Sequence, residues 1–472
     1  MKVDVSAANS PPSDADALWP SGLVTSTRSS PPAPCPMKCE VCGAESDFAA
    51  AFVRERKTFR RSRRTVCPAC WVRRDNTQQL WVLLTLPAAG AFGYIADLIA
   101  PGGAVGTLFL SLFFIGLFLI LSIVPHELGH ALVARALGWR VYQIVIGVGK
   151  PLFKRRWAGI LFEIRAVPLA GATWMIPKDT RWFRAKRFLA ALAGPAVNMA
   201  LALAVVVIWQ GNLSHFDFDA LPAGPRLFLW ANAWVALANL WPHQPRTGFA
   251  LPSDGKLLFQ LLAFRKKDME KIQAMRFAVE AMQCRDNGNL SGARVACDKG
   301  LALYPEDAHL LNLSGINHLD EQNYERARQV FLKLLAKENE ASGTRFLFMN
   351  NLAYADALSE DPARVSEADV YSKAAYSALP WVPAVVGTRG TVLVASENYE
   401  EGMELLKKSM GDAEGPHNKA ENACQIAIAL TRTGDGEEAW KYLKLARQLD
   451  AKCPLLARAE RVTEGRSLEP AG

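Results

Sequence analysis

The chain has 472 residues, too many for a single core, and half of them are hydrophobic. Its formal net charge of +8 would suit nucleic acid, but the basic residues gather beside the apolar runs between 79 and 245. That placement points to membrane topology and anionic lipid, and argues against a nucleic-acid partner.

Residues 1–34 are rich in Ser, Pro and Ala and lack an apolar core, so they read as a disordered tail without a cleavable signal. Cys39-Glu-Val-Cys42 and Cys67-Pro-Ala-Cys70 then form two CxxC turns. Two such turns close a tetrahedral four-thiolate site, so 35–75 is expected to be a zinc ribbon with one structural Zn2+. A redox role would need a βαβ context that is missing here. Metal-type spacing also implies a reducing compartment. Cys35 is left over, and the basic run from Arg54 to Arg64 suits the foot of a membrane helix.

Four apolar stretches are expected to cross the bilayer as helices: Leu80–Ala100, Val105–Leu137, Phe188–Trp209 and Leu227–Trp241. Lys and Arg are dense before the first stretch and between Arg140 and Arg187, whereas 101–104 and 211–225 have none. The chain is therefore expected to be an integral, multi-pass membrane protein with both termini cytoplasmic.

The second stretch runs into His126-Glu127-Leu128-Gly129-His130. On a helix, positions i and i+4 share a face, so both imidazoles can hold one zinc ion, and Glu127 stands beside it as a general base. Such residues in a membrane helix are costly unless functional. A pH-sensitive or packing His pair is the plainer alternative. Residues 139–176 are β-rich and predict a small sheet or hairpins, whose edge an extended substrate could join or which could simply cap the helices.

Gly194-Pro195-Ala196-Val197-Asn198 lies inside the third stretch, where Gly-Pro permits close helix approach and Asn198 faces the bundle interior. The short fourth stretch carries Asn232 and Asn239. Beyond it, Asp254 and His243 are rival third zinc ligands, and Asp254 also reads as a helix N-cap.

Four of these features stand in order between residues 105 and 262: HELGH on a membrane helix, a β-rich connection, Gly-Pro-x-x-Asn, and Asn-x-x-Pro before Asp-Gly. In this the chain resembles the site-2 protease family of intramembrane zinc metalloproteases. The resemblance implies a catalytic Zn2+ held by His126, His130 and Asp254, with Glu127 as catalytic base and Asn198 and Asn239 near the substrate cleft. It also implies cleavage of a transmembrane or membrane-proximal segment of a membrane-protein substrate, as in regulated intramembrane proteolysis. The chain departs from the family in having Ser253 where Leu is usual, and about seven extra residues around 244–250.

From 270 to 460 the pattern is helical and repeats: Ala293 and Ala327, and then Ala368 and Gly402, are each 34 residues apart. This resembles tetratricopeptide repeats, an α-solenoid suited to a cytosolic protein or peptide partner. The expected fold is mainly α: a zinc ribbon, a polytopic core at 79–265 with a small β-rich insertion, and a repeat domain. The rival reading is a catalytically inert membrane scaffold whose repeats recruit cytosolic partners. Retention of Glu127 speaks against it.

Overall fold

The computed structural model describes residues 37–48, 52–56, 63–179, 181–211, 217–218, 221–243, 252–263, 266–286, 288–338, 342–412 and 415–467. The tail at 1–34, Cys35 and the extra residues 244–250 lie outside them.

In chain order the elements begin with β1 (Met37–Lys38), β2 (Glu45–Ser46), β3 (Val53–Arg56) and β4 (Arg63–Val66). Then come α1 (Pro68–Ile99), α2 (Ala104–Ala136), β5 (Arg140–Trp157), β6 (Ile160–Ile176), α3 (Phe183–Gln210), α4 (Ala223–Leu240) and α5 (Asp254–Gln260). The rest is helical: α6 (Lys266–Asp286), α7 (Leu290–Leu303), α8 (Ala308–Asp320), α9 (Tyr324–Lys337) and α10 (Gly343–Leu358). The last are α11 (Pro362–Ala378), α12 (Pro383–Ala395), α13 (Tyr399–Asp412), α14 (Pro416–Thr433), α15 (Gly436–Leu449) and α16 (Leu456–Ser467). The described residues form two compact units, 37–71 with 277–467, and 72–276.

In the first unit β1 pairs with β2 and β3 with β4, both antiparallel. Cys39 and Cys42 lie in the β1–β2 turn, closed by Cys39 N–H to Ala44 O at 2.8 Å. Cys67 follows β4, and Pro68 opens α1, a first-turn position where its missing N–H costs nothing. α1 therefore starts well before Leu80, because no breaker separates the second CxxC turn from the apolar stretch.

The helices of 266–467 stack as pairs. Ala293, Ala327, Ala368 and Ala439, the small residues of the period, are all fully buried on the second helix of their pair. Four residues ahead, Asn289, Asn323 and Asp435 each cap that helix by accepting an N–H at its third residue. The period is thus a cap followed by a small contact residue. The Cys-bearing segment packs on these helices: Ser46 Oγ donates to Ala378 O at 2.7 Å, Phe48 meets Phe346 edge-on, and Phe52 meets Trp381.

In the second unit, α2 and α3 are the described helices long and apolar enough to cross a bilayer. The sequence pattern predicts four. The apolar part of α1 is the shorter Leu84–Ile99, and α4 has 18 residues. The β-rich expectation is met by β5 and β6, which fold back on themselves. Ile144 lies opposite both Phe162 and Thr173, and Val145 opposite both Glu163 and Ala172. Residues 143–146 are therefore flanked on both sides by parts of β6, which leaves 171–174 at a sheet edge among the described residues.

Candidate metal centre

His126 and His130 stand one turn apart on α2, buried at 4% and 5% exposure. Their Nε2 atoms are 3.2 Å from each other. Asp254, at the first turn of α5, brings Oδ2 to 3.2 Å from His126 Nε2 and Oδ1 to 3.3 Å from His130 Nε2. Both Nδ1 atoms are committed elsewhere, His126 to Asn198 Oδ1 and His130 to Ala190 O, each at 2.7 Å. A carbonyl oxygen only accepts, so Nδ1 of His130 carries a proton, and in the neutral ring Nε2 then presents a lone pair inward. A positive charge between them, a metal ion or a proton, is what lets two such nitrogens and a carboxylate lie this close. Their spacings are also about the edge of a tetrahedron with bonds of ~2.0 Å, the length of zinc–imidazole and zinc–carboxylate bonds. The donor set fits Zn2+.

Backbone approach makes the cluster possible. A Cβ at Gly194 on α3 would fall on His130 Nε2 and within 2.7 Å of His126 Nε2. Only glycine lets α3 pass this close. Asn198, one turn further on, ties three helices: Nδ2 donates to Ser122 O on α2 at 3.1 Å and to Asn232 Oδ1 on α4 at 2.9 Å. Asn239 Nδ2 donates to Val235 O of its own helix at 3.0 Å. It is Asn232, one heptad earlier and a position the sequence marked as polar without assigning it, that meets Asn198.

Glu127 is 5% exposed and meets the sheet edge. Thr173 Oγ1 donates to Glu127 Oε2 at 2.7 Å and also lies 3.0 Å from its backbone oxygen. A Cβ at Gly171 would collide with the same carboxylate. Neither Thr173 nor Gly171 stands out in the sequence, since only the fold-back of β6 brings them to α2. His243, the rival ligand, lies at the surface with Nδ1 3.0 Å from Trp241 O.

Cys39, Cys42, Cys67 and Cys70 form a second cluster, their sulfurs within 4.8 Å of one another. Cys42 Sγ and Cys67 Sγ are 3.7 Å apart, about the tetrahedral edge for zinc–sulfur bonds of ~2.3 Å. Burial pushes the Cys70 thiol up to about 11 and raises Cys67 as well. Burial also works against Cys39, but the amides of Cys67, Cys42 and Val41 draw it down to about 6. This donor set too fits Zn2+.

Comparison with known proteins agrees with the first cluster. Zinc metalloprotease Rip1 of Mycobacterium tuberculosis is 30% identical over 112 residues, 19% of this chain and 27% of that protein. A Campylobacter jejuni protein with a zinc-metalloprotease name is 33% identical over 124 residues, 23% of this chain and 33% of its own. The chain thus spans a third or less of the length of these relatives. Among solved structures, a TPR protein of Thermus thermophilus aligns with 40% of this chain and 98% of its own, at 17% identity and a TM-score of 0.33. The sequence model of Peptidase family M50 matches residues 113–411, well over half of the chain, and the protein therefore belongs to peptidase family M50.

Proposed function

We propose that this protein is a zinc metalloprotease that cuts a transmembrane or membrane-proximal segment of a protein substrate, as in regulated intramembrane proteolysis. One observation carries the reading: His126, His130 and Asp254 converge on a common centre while Glu127, beside them on α2, is buried and held. Zn2+ in that centre would supply Lewis acidity and lower the pKa of a water toward neutrality. Glu127 takes the proton from that water and passes it to the leaving amine. Thr173 keeps one carboxylate oxygen turned in place, and Gly171 leaves room at the other. Asn198 acts on His126, whose tautomer and ring orientation it sets.

Peptide bonds of a membrane helix are protected by their own hydrogen bonds, so a substrate must unwind before it can be cut. The edge at 171–174, which runs past Glu127, suits an extended segment added as a further strand. α2 and α3 cross the bilayer, with the shorter apolar stretches of α1 and α4 as two further crossings, and the Lys and Arg bias supports both termini and the β5–β6 sheet on the cytoplasmic side. The Cys cluster binds a second, structural zinc as a ribbon. The stacked helices hold a cytosolic protein or peptide.

Glu127→Gln tests the reading. It should retain zinc at the wild-type level while cleavage of a co-expressed membrane substrate falls by ~10²–10⁴. Cleavage near the wild-type rate would rule out Glu127 as the base and, with it, this mechanism.

A further inference from the structure

Asp254 reaches the two histidines from α5, which is separated from α4 by the stretch 241–253. Both ends of that stretch are described, and they are tied together. Ser253 N–H donates to His243 O at 3.0 Å, and His243 N–H donates to Ser253 Oγ at 3.0 Å. The same hydroxyl donates to Trp241 O at 2.7 Å and accepts Lys256 N–H, capping α5, at 3.3 Å. A hydroxyl has one proton and two lone pairs, so all of its hydrogen-bonding capacity is used. Ser253 is 6% exposed.

We propose that Ser253 is a positioning residue for the metal centre: its hydroxyl clasps 241–243 to the start of α5 and so fixes where the Asp254 carboxylate arrives. The proposal rests on the reading of Asp254 as zinc ligand. A second contact anchors the other side of Asp254. A Cβ at Gly255 would collide with Leu240 O, so the first turn of α5 lies directly on the last carbonyl of α4. Asp254 therefore stands between two fixed neighbours, and its oxygens meet Nε2 of both histidines. Leu at 253 would supply none of the three side-chain hydrogen bonds. The Ser at this position thus closes the connection from α4 to α5 just ahead of Asp254.

The test uses the full-length zinc-loaded protein in detergent, with a chromogenic zinc chelator such as pyridylazoresorcinol drawing off the metal. Two release phases are expected, one from each cluster, and Asp254→Ala should abolish one of them. Ser253→Ala should speed that same phase about tenfold, the lower end for loss of a group that orients a ligand. It should leave the cysteine phase unchanged. Ser253→Thr keeps the hydroxyl and should restore the wild-type rate, while Ser253→Cys, a weaker hydrogen-bonding group, should fall between. His243→Ala retains the backbone half of the clasp and should match wild type.

If Asp254→Ala keeps both phases, the ligand reading fails and the clasp with it. If Asp254→Ala loses a phase that Ser253→Ala leaves at the wild-type rate, the clasp alone is overturned. Should Ser253→Ala not fold, the Thr and Cys variants decide. Equal release rates in those two overturn the role of the hydroxyl, as does a Thr variant that releases its zinc faster than the Cys variant.

Discussion

The two metal clusters of this chain differ in what they leave open. The Cys cluster offers four candidate ligand atoms of one kind, from two CxxC segments whose surroundings are joined by Glu40 N–H to Thr65 O of β4 at 3.0 Å. Four thiolates complete a tetrahedron, so nothing else can bind. The His–His–Asp cluster offers three candidate ligand atoms from two helices, with the Glu127 carboxylate buried beside them. Three ligands would leave a position for water, beside which the proposed base Glu127 stands. On the proposed reading, ligand count is what separates a site that holds a fold from one that performs chemistry. Supporting contacts differ accordingly: amides steady Cys39, whereas Asn198, Ala190 and Thr173 orient His126, His130 and Glu127 one by one.

Substitutions should break the two clusters in different ways. Cys67→Ser should produce the largest effect, unfolding 37–71, since apparent zinc binding to such units is worth ~10–16 kcal/mol and is their folding energy. Limited proteolysis reads it, with the membrane-unit zinc still present by metal analysis. Unchanged protease resistance would remove the structural half of the comparison. Asp254→Ala should instead abolish zinc at the His pair and all cleavage while 37–71 stays protease-resistant, and His243→Ala should keep most of both. A reversed outcome would make His243 the ligand.

Gly194→Ala sharpens the contrast further. Its methyl has no room beside the two Nε2 atoms, so zinc affinity should fall by about 100-fold, the upper end for changes next to a ligand. Equilibrium competition with a chelator measures this. Asn198→Ala leaves His126 Nδ1 without its acceptor and should cost about 10-fold in the same assay. Thr173→Val should be the smallest, a few-fold drop in kcat with zinc content unchanged, because one hydrogen bond of ~1 kcal/mol is lost from Glu127. A Thr173→Val enzyme that loses zinc would show that the sheet edge supports the metal and not only the base.

How far the site can be read in the sequence depends on how local its geometry is. The pair His126 and His130 follows from helical spacing alone, as do the CxxC turns and the 34-residue period of buried alanines. Asn198 and Asp254 are reached by motif order, because their distances to His126 span 72 and 128 residues of sequence. Asn239 and Asn232 show the limit of that route. They lie seven residues apart on α4, and only the packing of α4 against α3 turns Asn232 to Asn198. Thr173 and Gly171 are out of reach, since β6 must pair twice with residues 143–146 before they arrive at α2. Ser253 looks like a departure from pattern until its three hydrogen bonds show what it ties together.

The seating of Ser46 on Ala378 has a consequence for synthesis. The partners are 332 residues apart, and the whole membrane unit is translated between them. At 5–20 residues per second, the Cys-bearing segment emerges on the order of tens of seconds before its helical support exists. Through that interval Phe48 and Phe52 have neither Phe346 nor Trp381 to cover them. If the four thiols take up metal as proposed, that metal would hold the segment in shape through this interval. A nascent chain stalled near residue 276 should already carry one zinc and lose it on Cys67→Ser. The Ser46–Ala378 contact can form only after the membrane unit between its partners has been made, so it reports that the two have come together in order.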